Sequence, residues 1–293
     1  MCVVIFEGGP MSNSNSTTVV VTRSRYADKL LTALEPRIES LKTEFQQSGR
    51  IPSCFIDDVL PEEWVESIFN AFPKPSEMME RKSLREHKFV AAQMNRYNPM
   101  LEEIIYAFQD PRVVKLVEEV TGIQGMIPDQ YLYAGGISLM GKDHFLNPHL
   151  DNSHDKDRNL YRVLNLLYYV SPDWNEECGG NLELWDHGPE GNPREIVSRS
   201  NRLILMATHE YSWHSVNKVR AIHTPRCCVS NYYFSAKPLE AHEYFHVTTF
   251  RGRPEEPVRD VLLQGDAALR SGLRKVFRKG VIKPKHVYEK DIN

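Results

Sequence analysis

The sequence predicts an α+β chain with a mainly β core, on three observations. From His149 onward, runs rich in aromatic and β-branched residues follow one another: HLDNSHDKDRNLYRVLNLLYYV, NLELW, NRLILMA, SWHSV and RCCVSNYYFS. Turn residues separate these runs, at Ser171-Pro172-Asp173, Gly179-Gly180 and Gly188-Pro189. Ahead of them lie segments whose apolar residues recur every three or four positions, the spacing of amphipathic helices. The β runs read as successive strands of one antiparallel barrel or sandwich, with helices before it and a helix after it.

In chain order, residues 1–22 combine a short apolar start with a Ser/Asn/Thr-rich stretch and are expected to be disordered; the start stays open between Met1 and Met11. No basic segment precedes the apolar patch, so no secretory signal is expected. Over residues 26–48, Leu30, Leu31, Leu34, Ile38, Leu41 and Phe45 mark a helix that Pro36 should kink or split. Residues 51–59 resemble a strand, and Pro61 suits the first turn of a helix ending near residues 72–75. A helix over residues 100–121 should break at Pro111 and end at Gly122. From Tyr131 the pattern becomes β. After Pro238 come an extended stretch, 244–250, and a helix over 257–279 closed by Gly280. The expected organisation is a disordered 1–22, a helical support region 23–128, the β core 129–236 and a C-terminal extension 237–293 packing on it.

Composition sets limits. With 36 basic and 39 acidic residues the net charge is −3, so neither nucleic acid nor an anionic membrane is an expected partner. The five cysteines form no CxxC spacing, and Cys227 and Cys228 are chain neighbours whose side chains alternate across a strand, which points to a reducing, cytoplasmic setting. No apolar run approaches the ~20 residues that a membrane helix needs.

The chemistry centres on His149 and Asp151. In a strand, positions i and i+2 face the same way, so both side chains can meet one metal ion while Leu150 packs oppositely. His214, in SWHSV, completes a two-histidine, one-carboxylate set. Such a facial triad leaves coordination positions open and suits non-haem Fe(II) oxygenases. Other histidines invite weaker readings: His209 lies an odd number of positions from His214 and reads as a loop or surface residue, and His144 and His154 as solvated loop residues or residues of a pocket mouth. Asn152 and Arg158 are pocket candidates. Trp174, Trp185 and Trp213 read as packing residues, and Gly179-Gly180 as a tight turn or bulge.

H-x-D, then a GG-plus-strand element, a distal His and a downstream basic residue, in that order over residues 129–236, resemble the 2-oxoglutarate and Fe(II)-dependent dioxygenases, specifically the prolyl 4-hydroxylase-like branch. The resemblance implies a double-stranded β-helix (jelly roll), with buttressing N-terminal helices and a C-terminal helix around it. It implies Fe(II) on His149, Asp151 and His214, with 2-oxoglutarate and O2 as co-substrates and ascorbate as a stimulant. A basic residue at the head of the last strand would hold the distal carboxylate of 2-oxoglutarate. Arg226 is the choice, sharing a face with Cys228, Ser230 and Tyr232, and Arg220 is the alternative because the preceding turn is long. On the strand over 161–170, Tyr169 and Asn165 share a face with Tyr161, Val163 and Leu167, with Arg162 opposite; Tyr169, Asn165 and Ser230 are the further co-substrate candidates, although aromatic core filling accounts equally well for tyrosines such as Tyr131, Tyr133 and Tyr169. Hydroxylation of an unactivated C–H is the implied reaction, and the carboxylate of Asp151 argues against halogenation. The expected substrate is a small molecule or amino-acid-like compound, with a protein prolyl residue as the alternative. Two other classes stay open, a cupin-like metal-binding protein without oxygenase activity and a metal-free scaffold.

Overall fold

The computed structural model describes residues 21–276 and 287–288. The readings for residues 1–20 and for the helix end at Gly280 lie outside the described residues. Val21, inside the stretch expected to be disordered, is described and buried.

The first amphipathic stretch splits as expected, into α1 (Arg23–Leu34) and α2 (Ile38–Phe45) around a 3-10 turn, Glu35–Arg37, that contains Pro36. β1 (Ser53–Asp57) leads to α3 (Glu62–Asn70), where Pro61 is the N-cap and not a first-turn residue. Then come β2 (Met79–Lys82) and β3 (Glu86–Ala91), a hairpin in a region read above as helical support. Helices α4 (Pro99–Ala107) and α5 (Pro111–Thr121) each open on proline, and the side chains of Asn98 and Asp110 accept hydrogen bonds from Met100 and Arg112 N–H groups. Gly122, at φ 76°, closes α5 in the left-handed conformation.

The β region comprises β4 (Ile127–Pro128), β5 (Gly136–Met140), β6 (Phe145–Leu150), β7 (Tyr161–Tyr169), β8 (Leu182–Leu184), β9 (Arg194–Ile196), β10 (Arg202–Ala207), β11 (His214–Val216), β12 (Arg226–Ser235) and β13 (Thr249–Phe250). Of the extended stretch 244–250, only Thr249 and Phe250 pair with the sheet. Helix α6 (Pro257–Val276) follows.

All pairings are antiparallel, in the order β1-β10-β7-β12-β5-β3-β6-β11-β8-β9, with β2 on β3, β4 on β12 and β13 on β6. β3 pairs with both β5 and β6, so it is the seam through which the sheet curls over on itself. At the far ends, the Asp186 carboxylate after β8 accepts from Ile51 N–H before β1 at 2.8 Å and from Arg194 at 2.9 Å, which draws the two edges together. This curled sheet with flanking helices is the jelly-roll architecture expected.

Side-chain alternation builds two apolar layers. Leu164, Leu166 and Tyr168 of β7 pack outward with helix residues such as Leu30, Ile104 and Val117. Tyr169 points inward with Leu182, Leu184, Ile204, Met206 and Cys228. Each large apolar side chain so buried contributes about 1.5–3 kcal/mol. Trp174 and Trp185 are buried, as read. Cys54, Cys178, Cys227 and Cys228 are free thiols. No helix among the described residues is long and apolar enough to cross a membrane.

Candidate metal and co-substrate site

His149 is the penultimate residue of β6, Asp151 follows the strand and His214 opens β11; the two histidines are direct cross-strand partners. Between His149 and Leu146 the register shifts by one residue, a bulge at Asn147-Pro148, where the absence of an N–H on Pro148 is tolerated. Both imidazoles are oriented from behind. His149 Nδ1 donates to the Asn147 carbonyl at 3.0 Å and His214 Nδ1 to the Ser212 carbonyl at 2.9 Å, which leaves each Nε2 as an inward-facing lone pair. Phe250 stacks on His149 at 5.0 Å. The Nε2 atoms lie 3.8 and 3.7 Å from the Asp151 carboxylate oxygens, and the three ligand atoms fall within 4.8 Å of one another.

The protonation states suit a divalent cation. Burial, reinforced by His214, lowers the His149 pKa to about 3, and burial lowers that of His214. Burial alone would raise Asp151, but the Arg162 guanidinium, together with His214, His149 and Lys88, outweighs it and holds the carboxyl well below its usual range. Two neutral imidazoles and an ionised carboxylate are the forms that ligate metal. Asp151 Oδ2 is buried and makes no hydrogen bond, and the Arg162 guanidinium lies 3.2 Å from it as an ion-pair partner.

Arg226 opens β12 and is buried, at 3 % exposure. Its Nη2 donates to the Tyr169 hydroxyl at 3.0 Å and its Nε to Ser198 Oγ at 3.1 Å. Among the described residues no carboxylate pairs with it. A buried guanidinium held only by neutral partners, here two hydroxyls and the Met140 sulfur, is a site for an anion. Arg220, the alternative, is exposed and bonds the carbonyls of Glu176 and Glu177 on an outer turn. Tyr169 sits behind Arg226 and does not line the cavity. Asn165 and Ser230 do line it: Asn165 donates to the Tyr232 hydroxyl at 3.4 Å and keeps a buried, unpartnered Oδ1, and Ser230 Oγ donates to the Gly136 carbonyl at 3.2 Å. The cavity is about 450 Å3, and His149, Asp151, His214 and Arg226 all open onto it.

Gly179 and Gly180 support this arrangement. Both have φ of +65°, and a Cβ on Gly180 would lie 2.8 Å from Arg226 Cδ and 3.0 Å from Val219. Gly180→Ala should therefore weaken 2-oxoglutarate binding by displacing Arg226 and lower stability by ~1–2 kcal/mol through the left-handed backbone. Denaturant unfolding and co-substrate titration together check this, and an unchanged affinity would refute it.

One site residue contradicts the parity reading. Arg162 was assigned to the face opposite Asn165, yet both line the cavity. The pairing of β7 with β12 runs Leu164↔Tyr233 and then Arg162↔Phe234, so Val163 is an extra residue, a β-bulge. Val163 and Leu164 consequently both pack toward the helices, and Arg162 turns inward. Its Nη1 lies 3.2 Å from Asp151 Oδ2, its Nη2 donates to Asn152 Oδ1 at 2.8 Å, and its guanidinium covers the Tyr232 ring at 4.4 Å.

The remaining candidates scatter. Asn152 and Tyr133 line the cavity, whereas Arg158 lies over Phe245 and Tyr131 is exposed. His144 is buried against His87 and His154 against Tyr161, so neither is a solvated loop residue. His209 is a loop residue 3.3 Å from Glu240. The sequence reading missed Lys88, Arg81 and Arg85, which also line the cavity; alternation of charge through MERK and EHKFVA was the available signal.

Comparison with known proteins agrees with this geometry. The sequence model described as 2OG-Fe(II) oxygenase superfamily matches residues 135–234. A prolyl 3-hydroxylase of Mus musculus is 28% identical over 96 residues, 31% of this chain, and the match spans only 17% of that protein. Among solved structures, a prolyl 4-hydroxylase from Phytophthora capsici superposes with a TM-score of 0.52 at 14% identity, covering 86% of this chain and 80% of the other, a likeness of fold. A 2OG-Fe(II) oxygenase family oxidoreductase from Burkholderia pseudomallei gives 0.49 at 16% identity, covering 69% and 92%. The matched residues 135–234 carry the triad and Arg226, so the similarity to the 2OG-Fe(II) oxygenase superfamily falls on the part of the chain that builds the site.

Proposed function

We propose that the chain hydroxylates an unactivated C–H of a small-molecule or amino-acid-like substrate, converting 2-oxoglutarate and O2 into succinate and CO2 as it does so. The observation that carries this reading is the pairing, in one cavity, of an open His149/Asp151/His214 set with a buried guanidinium that lacks a counter-ion. Fe(II) and 2-oxoglutarate, when bound, supply the oxidising chemistry. The protein's share is orientation. His149 and His214 present Nε2 because backbone carbonyls hold their Nδ1 protons, and Arg162 keeps Asp151 ionised. Arg226, steadied by Tyr169 and Ser198, would hold the distal carboxylate of 2-oxoglutarate. Asn165 and Ser230 offer further polar contacts along the same wall. Ascorbate is expected to stimulate turnover by reducing oxidised iron. The match to a prolyl 3-hydroxylase favours a second reading, a prolyl residue in a protein, for the same site.

Anaerobic titration with Fe(II) and 2-oxoglutarate, followed by visible absorption, tests the site. A weak metal-to-ligand charge-transfer band in the wild type, absent in His214→Ala, is the expected result. Succinate release with amino acid derivatives and with proline-containing peptides then separates the two substrate readings. Tight metal binding without the band would point to a cupin-like protein, and no metal binding would reject both.

A further inference from the structure

The β2–β3 hairpin forms one wall of the cavity. Strand alternation puts Met79 and Arg81 of β2 and Glu86, Lys88 and Val90 of β3 on the same face, and all five line the cavity. The register sets Arg81 directly opposite Lys88. Like charges so placed repel, and a single carboxylate between them relieves this: Glu86 lies 2.9 Å from Lys88 Nζ and 3.9 Å from Arg81 Nη1. A second group repeats the ratio. Arg85, in the hairpin turn, and Arg270, on α6, share Asp266, the latter at 2.9 Å. Among the described residues, each group therefore holds two cations against one carboxylate and keeps one positive charge in excess. Lys88 lines the same cavity as His149, Asp151 and His214.

The cavity as a whole repeats this bias. Its described lining carries Arg81, Arg85, Lys88, Arg162, Arg226 and Arg270 but only two carboxylates, Glu86 and Asp151. Arg162 is matched by Asp151, and Arg226 serves the co-substrate in the function proposed above. The excess on the hairpin and α6 has no role in that reading. A concave site walled by one sign of charge concentrates ligands of the other sign.

Resting on the oxygenase reading, we propose that the primary substrate is a small molecule bearing a carboxylate, which docks against the Arg81–Glu86–Lys88 and Arg85–Asp266–Arg270 groups with its reacting carbon toward the triad. The residual charge of each group matches a monoanion. The cavity, at about 450 Å3, must also hold 2-oxoglutarate, which favours a small compound over a folded partner.

The test uses N-acetyl-L-amino acids and the matching N-acetyl-L-amino amides, which differ only in the charged group. Binding is followed by saturation-transfer NMR on the full chain, with and without Ni(II) and saturating 2-oxoglutarate. The acids should bind about tenfold more tightly than the amides, the scale of one charge-assisted contact. Lys88→Met should erase that preference and Lys88→Glu invert it, and Arg81→Met provides an independent variant if either folds poorly. A purely structural ion-pair role would lower the melting temperature of the variants and leave the preference intact. Equal binding of acid and amide by the wild type, no binding of either, a preference that survives in the folded variants, or selective capture of an acidic peptide in place of the small acids would each overturn the proposal. The oxygenase reading fails separately, by loss of the charge-transfer band in the wild type.

Discussion

Arg162→Met is expected to destabilise the metal-free protein by ~3–5 kcal/mol, the scale for removing one partner of a buried ion pair. Arg162 is the cation that faces the Asp151 carboxylate at 3.2 Å, and both side chains are buried or nearly so, at 3% and 13% exposure. Methionine leaves that carboxylate without its counter-charge among the rings of His149, His214 and Phe250. The Asn152 carboxamide loses a partner as well. Asp151 would then be less firmly ionised and less firmly aimed, and metal affinity should fall ~10–100-fold, as when a group supporting a metal ligand is removed. A divalent ion restores positive charge beside Asp151, so saturating metal should return part of the lost stability. Denaturant unfolding of wild type and variant, with and without Ni(II), measures both effects. Equal stability of the two metal-free proteins would refute the assignment.

Arg226→Leu should behave in the opposite way. Arg226 is as buried as Arg162, but among the described residues its partners are neutral: Ser198, Tyr169 and the Met140 sulfur. Removing a buried charge that lacks a counter-ion relieves a desolvation cost, so the ligand-free variant should be at least as stable as the wild type. Affinity for 2-oxoglutarate should fall ~100-fold or more, since a desolvated charge pair in a binding site carries several kcal/mol. Metal binding alone should persist. The contrast is diagnostic: one buried arginine has its anion built into the chain, and the other receives it from solution. Retained 2-oxoglutarate affinity in Arg226→Leu would remove the co-substrate assignment, and Arg220 offers no replacement because it is occupied on the outer surface.

The centre of the site was legible because its signals are local. His149 and Asp151 obey strand alternation, and Arg226 begins a strand whose aromatic pattern is plain. The side chains that tune the centre were less legible, for two physical reasons. A bulge changes parity without changing composition: nothing in YRVLN marks Val163 as the extra residue, and Arg162 was accordingly assigned to the wrong face. The β2–β3 hairpin was missed because its inner face is mostly charged. Hydrophobic alternation identifies strands that bury apolar side chains, and Arg81, Glu86 and Lys88 face a polar cavity instead. The split at Pro36, the break at Pro111 and the cap at Gly122 were readable because proline and glycine act on their own backbone. Tyr169 was identified as a site residue, but only the fold reveals that it reaches the site through Arg226.

The seam position of β3 separates two kinds of evolutionary freedom. β3 is hydrogen-bonded to β6, the strand that carries His149, so changes that shift its backbone would move a metal ligand. Among the described residues β2 pairs with β3 alone. Met79 and Arg81 can therefore be exchanged for residues of other size or charge while the backbone beneath His149 keeps its register. If the hairpin docks the substrate as proposed above, exchanges at those two positions would alter substrate range first, without moving the strand that carries His149.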